Sequence, residues 1–375
     1  MDARIARIDA VTVEGKRPRP AGSNARLGYH GDTVRLPLVR LTTDDGVSGF
    51  GRGPVEESRL AEVVGRSMDH FIDGSRVTDE WRDLELPLVD LASRLAGQPA
   101  YQFISGGAVT SPHPAQSYDT SLYFDDLEIA DDTEAAALIA GEARFGYDRG
   151  HRAFKIKVGR GARHMPLEAG TARDIAIIRA VRDAVGPEAT VMIDANNGWN
   201  LNLTKYVLRE TADANLYWVE EAFHEDNVLY EDLQGWLDTE GLAMRIADGE
   251  GAADPRVVPW AREGVIDVVQ TNIFARGLGA WRALAIELAA NGVESSPHTY
   301  GGGISNYVTS QLAASTEGVW HVEWDEASFA EIDASGYRLE DGAIVVPDSP
   351  GLGLELVEDA FAAAVAASGL TLIAD

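Results

Sequence analysis

Residues 153–158 read AFKIKV, 190–196 TVMIDAN, 216–221 LYWVEE and 244–250 MRIADGE. Each is a short run rich in β-branched, aromatic or other apolar residues. Each also carries an ionisable group towards its C-terminal end: Lys157, Asp194, Glu220 and Glu250. Three later runs continue the pattern: VIDVVQ (265–270) with Asp267, SSPH (295–298) with His298, and VWHVEW (319–324) with Glu323. Short runs of this composition, bounded by turn-formers, read as strands. An α/β barrel gathers its site from the C-terminal ends of many strands. An open doubly wound sheet would concentrate it at one switch point, so the spread of ionisable groups favours the barrel.

Outward from these runs, strands are expected near 117–123, 153–158, 190–194, 216–220, 244–248, 265–270, 293–297 and 319–324. Amphipathic stretches such as GTARDIAIIRAVRDAVG (170–186) and AWRALAIELAANG (280–292) separate them at helical spacing. Eight strands alternating with helices over 116–325 make one α/β unit. The first 115 residues read differently, as α+β. RIARIDAVTVEG (4–15) and DTVRLPLVRLTTDDGVSGFGRG (32–53) alternate like strands, and 56–72 and 78–95 have helical spacing. Between those two strands, AGSNARLGYHGD (21–32) is a polar loop without periodicity. The segment 326–375 carries a DG turn between strand-like residues and a final helix, and is expected to fold back on the N-terminal unit.

Composition narrows the partners. Lys+Arg number 32 against 60 Asp+Glu, a net charge of −28, which argues against nucleic acid and anionic membrane. An anionic substrate would then need a locally positive site, which a metal ion and two lysines would supply. There is no cysteine, so neither disulfides nor thiolate chemistry enter. The N-terminus lacks the apolar core of a signal peptide, and no stretch of about 18 apolar residues would span a bilayer. A cytoplasmic location is expected.

Asp194, Glu220 and Glu250 come from successive strand ends and would meet at one mouth. Without a cation they would repel one another and force a pKa upward. Oxygen-only ligation suits Mg²⁺. Asp248, two residues before Glu250 on the same strand, competes for the third position. Lys155 and Lys157 share a strand face, where each ammonium is expected to lower the other's pKa and make a neutral lysine available as a base. Asp267 and His298 close neighbouring runs, so the carboxylate is expected to fix the imidazole as an acid or base. Glu323, if protonated, could donate to a developing oxyanion. Asn196 could bind a substrate hydroxyl or simply form the NNG turn. Gly301–Gly303 match no phosphate-loop motif.

With these residues in place, the chain resembles the enolase superfamily, specifically its mandelate racemase subgroup, over nearly its whole length. The resemblance implies a modified (β/α)7β TIM-type barrel under an α+β capping domain made by the N-terminal region and the C-terminal tail. It puts the K-x-K motif on Lys155 and Lys157, with Lys157 as base. It puts one Mg²⁺ on Asp194, Glu220 and Glu250, the Asp/His dyad on Asp267 and His298, and the assisting glutamate on Glu323. It implies proton abstraction α to a carboxylate. The loop 21–32 resembles the family's substrate-closing loop. With Arg26, Tyr29 and His30 it is polar, which suits a polyhydroxylated acid better than an aromatic one. The expected activity is acid-sugar dehydration, giving a 2-keto-3-deoxy acid. A racemase or epimerase is the alternative, with a lactone cycloisomerase as a third variant. Because the family's members are often dimers or octamers, a homo-oligomer is implied.

Overall fold

A computed structural model describes residues 2–374. Its centre is a run of eight parallel strands. In spatial order these are Glu294–Ser295, Val268–Val269, Arg245–Asp248, Trp218–Glu220, Thr190–Asp194, Ala153–Lys157, Gln116–Leu122 and His321–Trp324. Hydrogen bonds also link each outermost strand to the chain flanking the other. Ser295 N donates to Gly318 O at 2.8 Å and Ser296 Oγ to His321 O at 3.0 Å. Sequential parallel neighbours need crossovers, and helices supply them: Asp132–Asp148, Leu167–Val185, Leu201–Glu210, Asn227–Glu240, Leu278–Ala290 and Ser305–Ala314 among others. Three of these helices start on sequence-encoded caps. Asp131 accepts from Thr133 N and Glu134 N, Asn200 from Leu203 N, and Asp226 from Val228 N and Leu229 N, all at 2.9–3.1 Å.

Strand alternation divides the run's side chains into two sets. Tyr118, Ala153, Met192, Trp218, Ala247 and Val268 form a small buried cluster of their own, one from each of six adjacent strands. Their strand neighbours Phe154, Val191, Val219, Ile246 and Val269 belong instead to the large core shared with the helices. That parity decides which residue of each run faces the interior.

The N-terminal sheet is antiparallel: Leu370–Ile373, Ile5–Ala21, Gly31–Thr43, Ser48–Arg52. The chain's last strand pairs with its first, Arg7 opposite Ile373 and Ala10 opposite Leu370. The first strand is longer than its hydrophobic pattern predicts, continuing through Pro18 and Pro20 to Ala21. Proline lacks a donor, but its fixed φ suits extended backbone where the ladder is already irregular, and the register shifts between Lys16 and Ala21. The helices expected over 56–72 and 78–95 are shorter, Glu57–Ala61 and Glu85–Leu95. A small hairpin, Ile72–Asp73 with Arg76–Val77, lies between them. The DG turn at 341–342 joins Arg338–Glu340 to Ala343–Val345. The expected final helix is Glu358–Ser368, followed by the 370–373 strand.

Candidate active site

Oxygens of Asp194, Glu220 and Glu250 lie within 4.8 Å of one another at the C-terminal ends of three adjacent strands. Asp194 and Glu220 face inward because they stand two residues beyond Met192 and Trp218 of the interior cluster. Glu250 reaches them through Gly249, whose φ is +123° and whose space a Cβ would crowd, 3.2 Å from Gln270 N and Thr271 N. That turn ends the alternation and separates Glu250 from Asp248. One residue past inward-facing Ala247, Asp248 points to the helix side, accepts from Tyr230 OH and takes Gly249 N at 2.6 Å. Glu250, not Asp248, therefore completes the acid cluster.

The cluster fits a divalent cation. Burial, and then Asp194, hold the Glu220 carboxyl well above its ordinary pKa. Three oxygen donors around one small volume suit Mg²⁺, which takes few carboxylates and leaves positions for water and substrate. Around them, Glu220 is held in place by Lys155 Nζ at 2.7 Å, Gln270 Nε2 at 2.8 Å and Trp218 Nε1 at 3.1 Å. Two turns beside the cluster are backbone-strained. Asn196, Asn197 and Glu221 have φ of 43°, 58° and 42°. Asn196 Nδ2 donates to Glu221 Oε2 at 3.0 Å and Glu250 Oε1 at 3.3 Å, so its amide braces acids.

Lys155 and Lys157 are both buried and both face the acids. Lys157 pairs with Asp194; Lys155 lies 2.7 Å from Glu220, 3.3 Å from Glu323 and 3.5 Å from Asp194. The sequence expectation was a lowered pKa from mutual repulsion, and the structure reverses it. Burial acts to lower both, but the facing carboxylates, Glu220 foremost for Lys155 and Asp194 for Lys157, outweigh it and raise both.

Glu323 also departs from expectation. Burial favours its protonated form, yet Lys155, His298 and the Thr299 N–H hold its pKa well below the usual carboxylate range. It is an acceptor on every side: Lys155 and Thr120 Oγ1 (2.8 Å) at Oε1, Thr299 N (2.7 Å) and Tyr300 N (3.1 Å) at Oε2. A carboxylate so placed cannot donate to an oxyanion.

The Asp267–His298 dyad is not formed. Asp267 precedes inward-facing Val268, so it points the other way, at the strand's N-terminal end, where it accepts Ile246 N at 2.8 Å. His298 lies beyond the C-terminal end of its own strand, Nε2 3.5 Å from Glu250 and 3.9 Å from Glu323. Its Nδ1 is buried without a partner among the described residues. The residue of the VIDVVQ run that reaches the site is Gln270, two beyond Val268; interior parity is the signal that would have found it. Lys157 and His298 thus stand at opposite ends of the acid row, one against Asp194 and the other against Glu250.

Of the loop residues, His30 packs against Tyr123 (centroids 4.9 Å) and Tyr300 (5.6 Å), and Lys157 Nζ sits 5.3 Å over the Tyr123 ring. Arg26 lines a cavity of about 380 Å³ with Asn24, Asn196, Glu221, Glu225 and Glu250. Tyr29 is 70 % exposed. Sequence reasoning singled out none of Tyr123, Tyr300, Arg17 or Asp325. Arg17 comes from the proline-rich end of the first strand, lies 4.6 Å over Tyr300, and forks onto Asp325 at 2.6 and 2.9 Å.

The Enolase C-terminal domain-like family profile matches residues 139–360. A galacturonate dehydratase from Geobacillus sp., solved with D-galacturonate and 5-keto-4-deoxy-D-galacturonate, is 42% identical. The likeness covers 99% of each chain at a TM-score of 0.93. A mandelate racemase/muconate lactonizing protein from Geobacillus sp. Y412MC10, complexed with magnesium/tartrate, is also 42% identical, over 99% of this chain and 97% of that one, at a TM-score of 0.94. Among curated relatives, the arabinonate dehydratase of Saccharolobus solfataricus is 26% identical over 74% of this chain and 70% of its own length. The L-Ala-D/L-Glu epimerase of Bacillus subtilis is 24% identical over 94% and 96%. The relatives are dehydratases with epimerases among them, Mg²⁺ accompanies a neighbour and fits the acid cluster, and no helix of the described residues could cross a membrane. This chain belongs to the enolase superfamily, among its mandelate racemase relatives, and is an enzyme of that kind.

Proposed function

We propose that the protein is a Mg²⁺-dependent dehydratase of sugar acids, its eight parallel strands forming a closed barrel with the site at its C-terminal mouth. The observation that carries this reading is the placement of two proton-transfer groups, Lys157 and His298, at the two ends of the acid row. A cation held by Asp194, Glu220 and Glu250 would bind the substrate carboxylate and lower the energy of the charge that develops there. Lys155 donates to the same carboxylate from the wall shared with Glu220 and Glu323. With that cation offsetting the carboxylate charge that holds its proton, Lys157 would be freed to act as a base; it or His298, according to the configuration at the α-carbon, takes the α-proton. For elimination, His298 delivers the proton carried on Nε2 to the departing β-hydroxyl, which leaves as water. The enol that remains ketonises to a keto acid deoxygenated at the β-carbon. Glu323 keeps Lys155 and His298 in register as a carboxylate. His30, Arg26 and Asn196 border the substrate, and Tyr29 lies outside it.

D-galacturonate, bound in the 42% identical relative, is the first acid to assay, followed by a stereochemically complete set of uronic, aldonic and aldaric acids. Mg²⁺-dependent appearance of a keto acid is the expected result. Lys157→Ala and His298→Ala should each lower turnover by several orders of magnitude with folding intact. Full activity in both variants would remove the assignment. The same two bases also fit a 1,1-proton transfer, as in the epimerase relative. Solvent deuterium entering the α-carbon of recovered substrate, with no keto product, would favour that reading.

A further inference from the structure

The groups around the reacting centre differ in what charge they leave available. Lys155 and Lys157 are engaged with Glu220, Glu323 and Asp194, beside the place where the substrate carboxylate binds. Beyond Lys157 the wall is aromatic: Tyr123 and Tyr300 stack at 5.3 Å and His30 closes over both. The arginine behind that wall is neutralised. Both members of the Arg17–Asp325 pair are buried, and the fork is bidentate, with Gly301 N on the same carboxylate at 2.6 Å. His30 points Nδ1 at Gly22 O, 2.9 Å away, so the carbonyl fixes the proton there and Nε2 carries the lone pair. Burial, aided by the charges of Lys157 and Arg17, pushes the His30 pKa down, which keeps the ring neutral. On the other side, away from this wall, Arg26 lines the cavity of about 380 Å³ together with Glu221, Glu225 and Glu250. Among the described residues, the wall beyond Lys157 therefore offers no cation without an acid partner.

We propose that the substrate carries a single carboxylate, and that the end remote from it is uncharged, a hydroxyl or ring oxygen received by His30 and the tyrosine wall. This rests on the reading that the carboxylate binds at the acid cluster, and it selects uronic and aldonic acids over aldaric diacids. A second carboxylate would lose its hydration against a neutral wall or meet like charge.

The test uses matched pairs that differ only at the far end, such as D-galacturonate and galactarate. Binding to the Mg²⁺-loaded enzyme is measured by calorimetry, and turnover by keto-acid formation. The diacid of each pair should bind at least about tenfold more weakly and show kcat/KM at least about 100-fold lower. If no monoacid binds more tightly than its diacid, the proposal fails. Because binding is read separately, monoacids that bind without being dehydrated would sink the dehydratase reading and leave this one standing. Two variants address the wall itself. Asp325→Asn releases the Arg17 fork, and His30→Lys adds an ammonium without disturbing the buried pair. Each should move the diacid-to-monoacid binding ratio at least about tenfold towards the diacid. An unchanged ratio in the folded variants would show that this wall does not read the far end.

Discussion

The two ends of the parallel run use the same residue types to opposite effect. At the N-terminal end, His321 Nδ1 meets Glu294 Oε1 at 2.7 Å, Tyr217 OH donates to Glu294 Oε2 at 2.7 Å, and Asp267 accepts a backbone N–H. Polar groups there are paired within the protein. At the C-terminal end, four acids and two lysines share one interior. His298 Nδ1, Gln270 Oε1 and Asn196 Oδ1 are buried without partners among the described residues. Orphaned buried groups and crowded like charges cost stability. Their gathering around the acid cluster sets this mouth apart from the paired N-terminal end and marks it as the candidate for chemistry.

The largest effect expected from this contrast comes from the cation. Chelation should abolish activity. Mg²⁺ at about 100 times its dissociation constant should stabilise the fold by about 2.7 kcal/mol. Asp194→Asn should lose most of that metal-dependent shift in calorimetry. An undiminished shift would move the metal elsewhere. At the other end, His321→Ala leaves Glu294 with a buried oxygen unpaired and should cost about 1–3 kcal/mol, with kcat/KM almost unchanged. A large loss of turnover there would break the division of labour.

A carboxylate in the N-terminal sheet extends the comparison to pH. Asp9 is buried, which opposes ionisation, yet Arg7, Thr371 and Arg40 bring its pKa down to about 2. A folded pKa below the unfolded value of about 3.9 adds stability that is full above pH 4 and lost as pH falls through 2. Asp9→Asn should therefore cost about 2 kcal/mol at neutral pH and flatten the stability profile between pH 4 and 2. Two guanidinium groups outweigh burial at Asp9; at Glu220, burial and then Asp194 outweigh Lys155, and the shift goes the other way.

What the sequence made legible is the part that depends on local pattern. The parallel strands and the inward set of Lys155, Lys157, Asp194 and Glu220 follow from short apolar runs ending in charge; the enolase-type membership comes from the resemblance of those motifs to a known family. What it hid depends on parity or on neighbours distant in sequence. Asp267 and Gln270 belong to one run, and only the facing of Val268 tells which reaches the site. Asp248 and Glu250 look equivalent until Gly249 takes a positive φ. The lysines' raised pKa values and the ionised Glu323 arise because acids and ammonium groups from five strands meet. The Arg17–Asp325 pair spans most of the chain and leaves no local signature.

The smallest effect expected separates two adjacent loop residues that sequence reasoning treated alike. Tyr29 and His30 both belong to the polar loop, but only His30 lies on the aromatic wall beside Lys157. Truncating an exposed side chain changes little, usually within about 0.5 kcal/mol. Tyr29→Ala should thus leave kcat/KM within about twofold. His30→Ala uncovers the two stacked tyrosines and removes the acceptor facing the substrate, so it should raise KM more than it lowers kcat, by about tenfold or more. Equal effects would mean that the loop moves as a unit on binding and brings Tyr29 inward. A selective loss at His30 would mean that the wall is already assembled before substrate arrives.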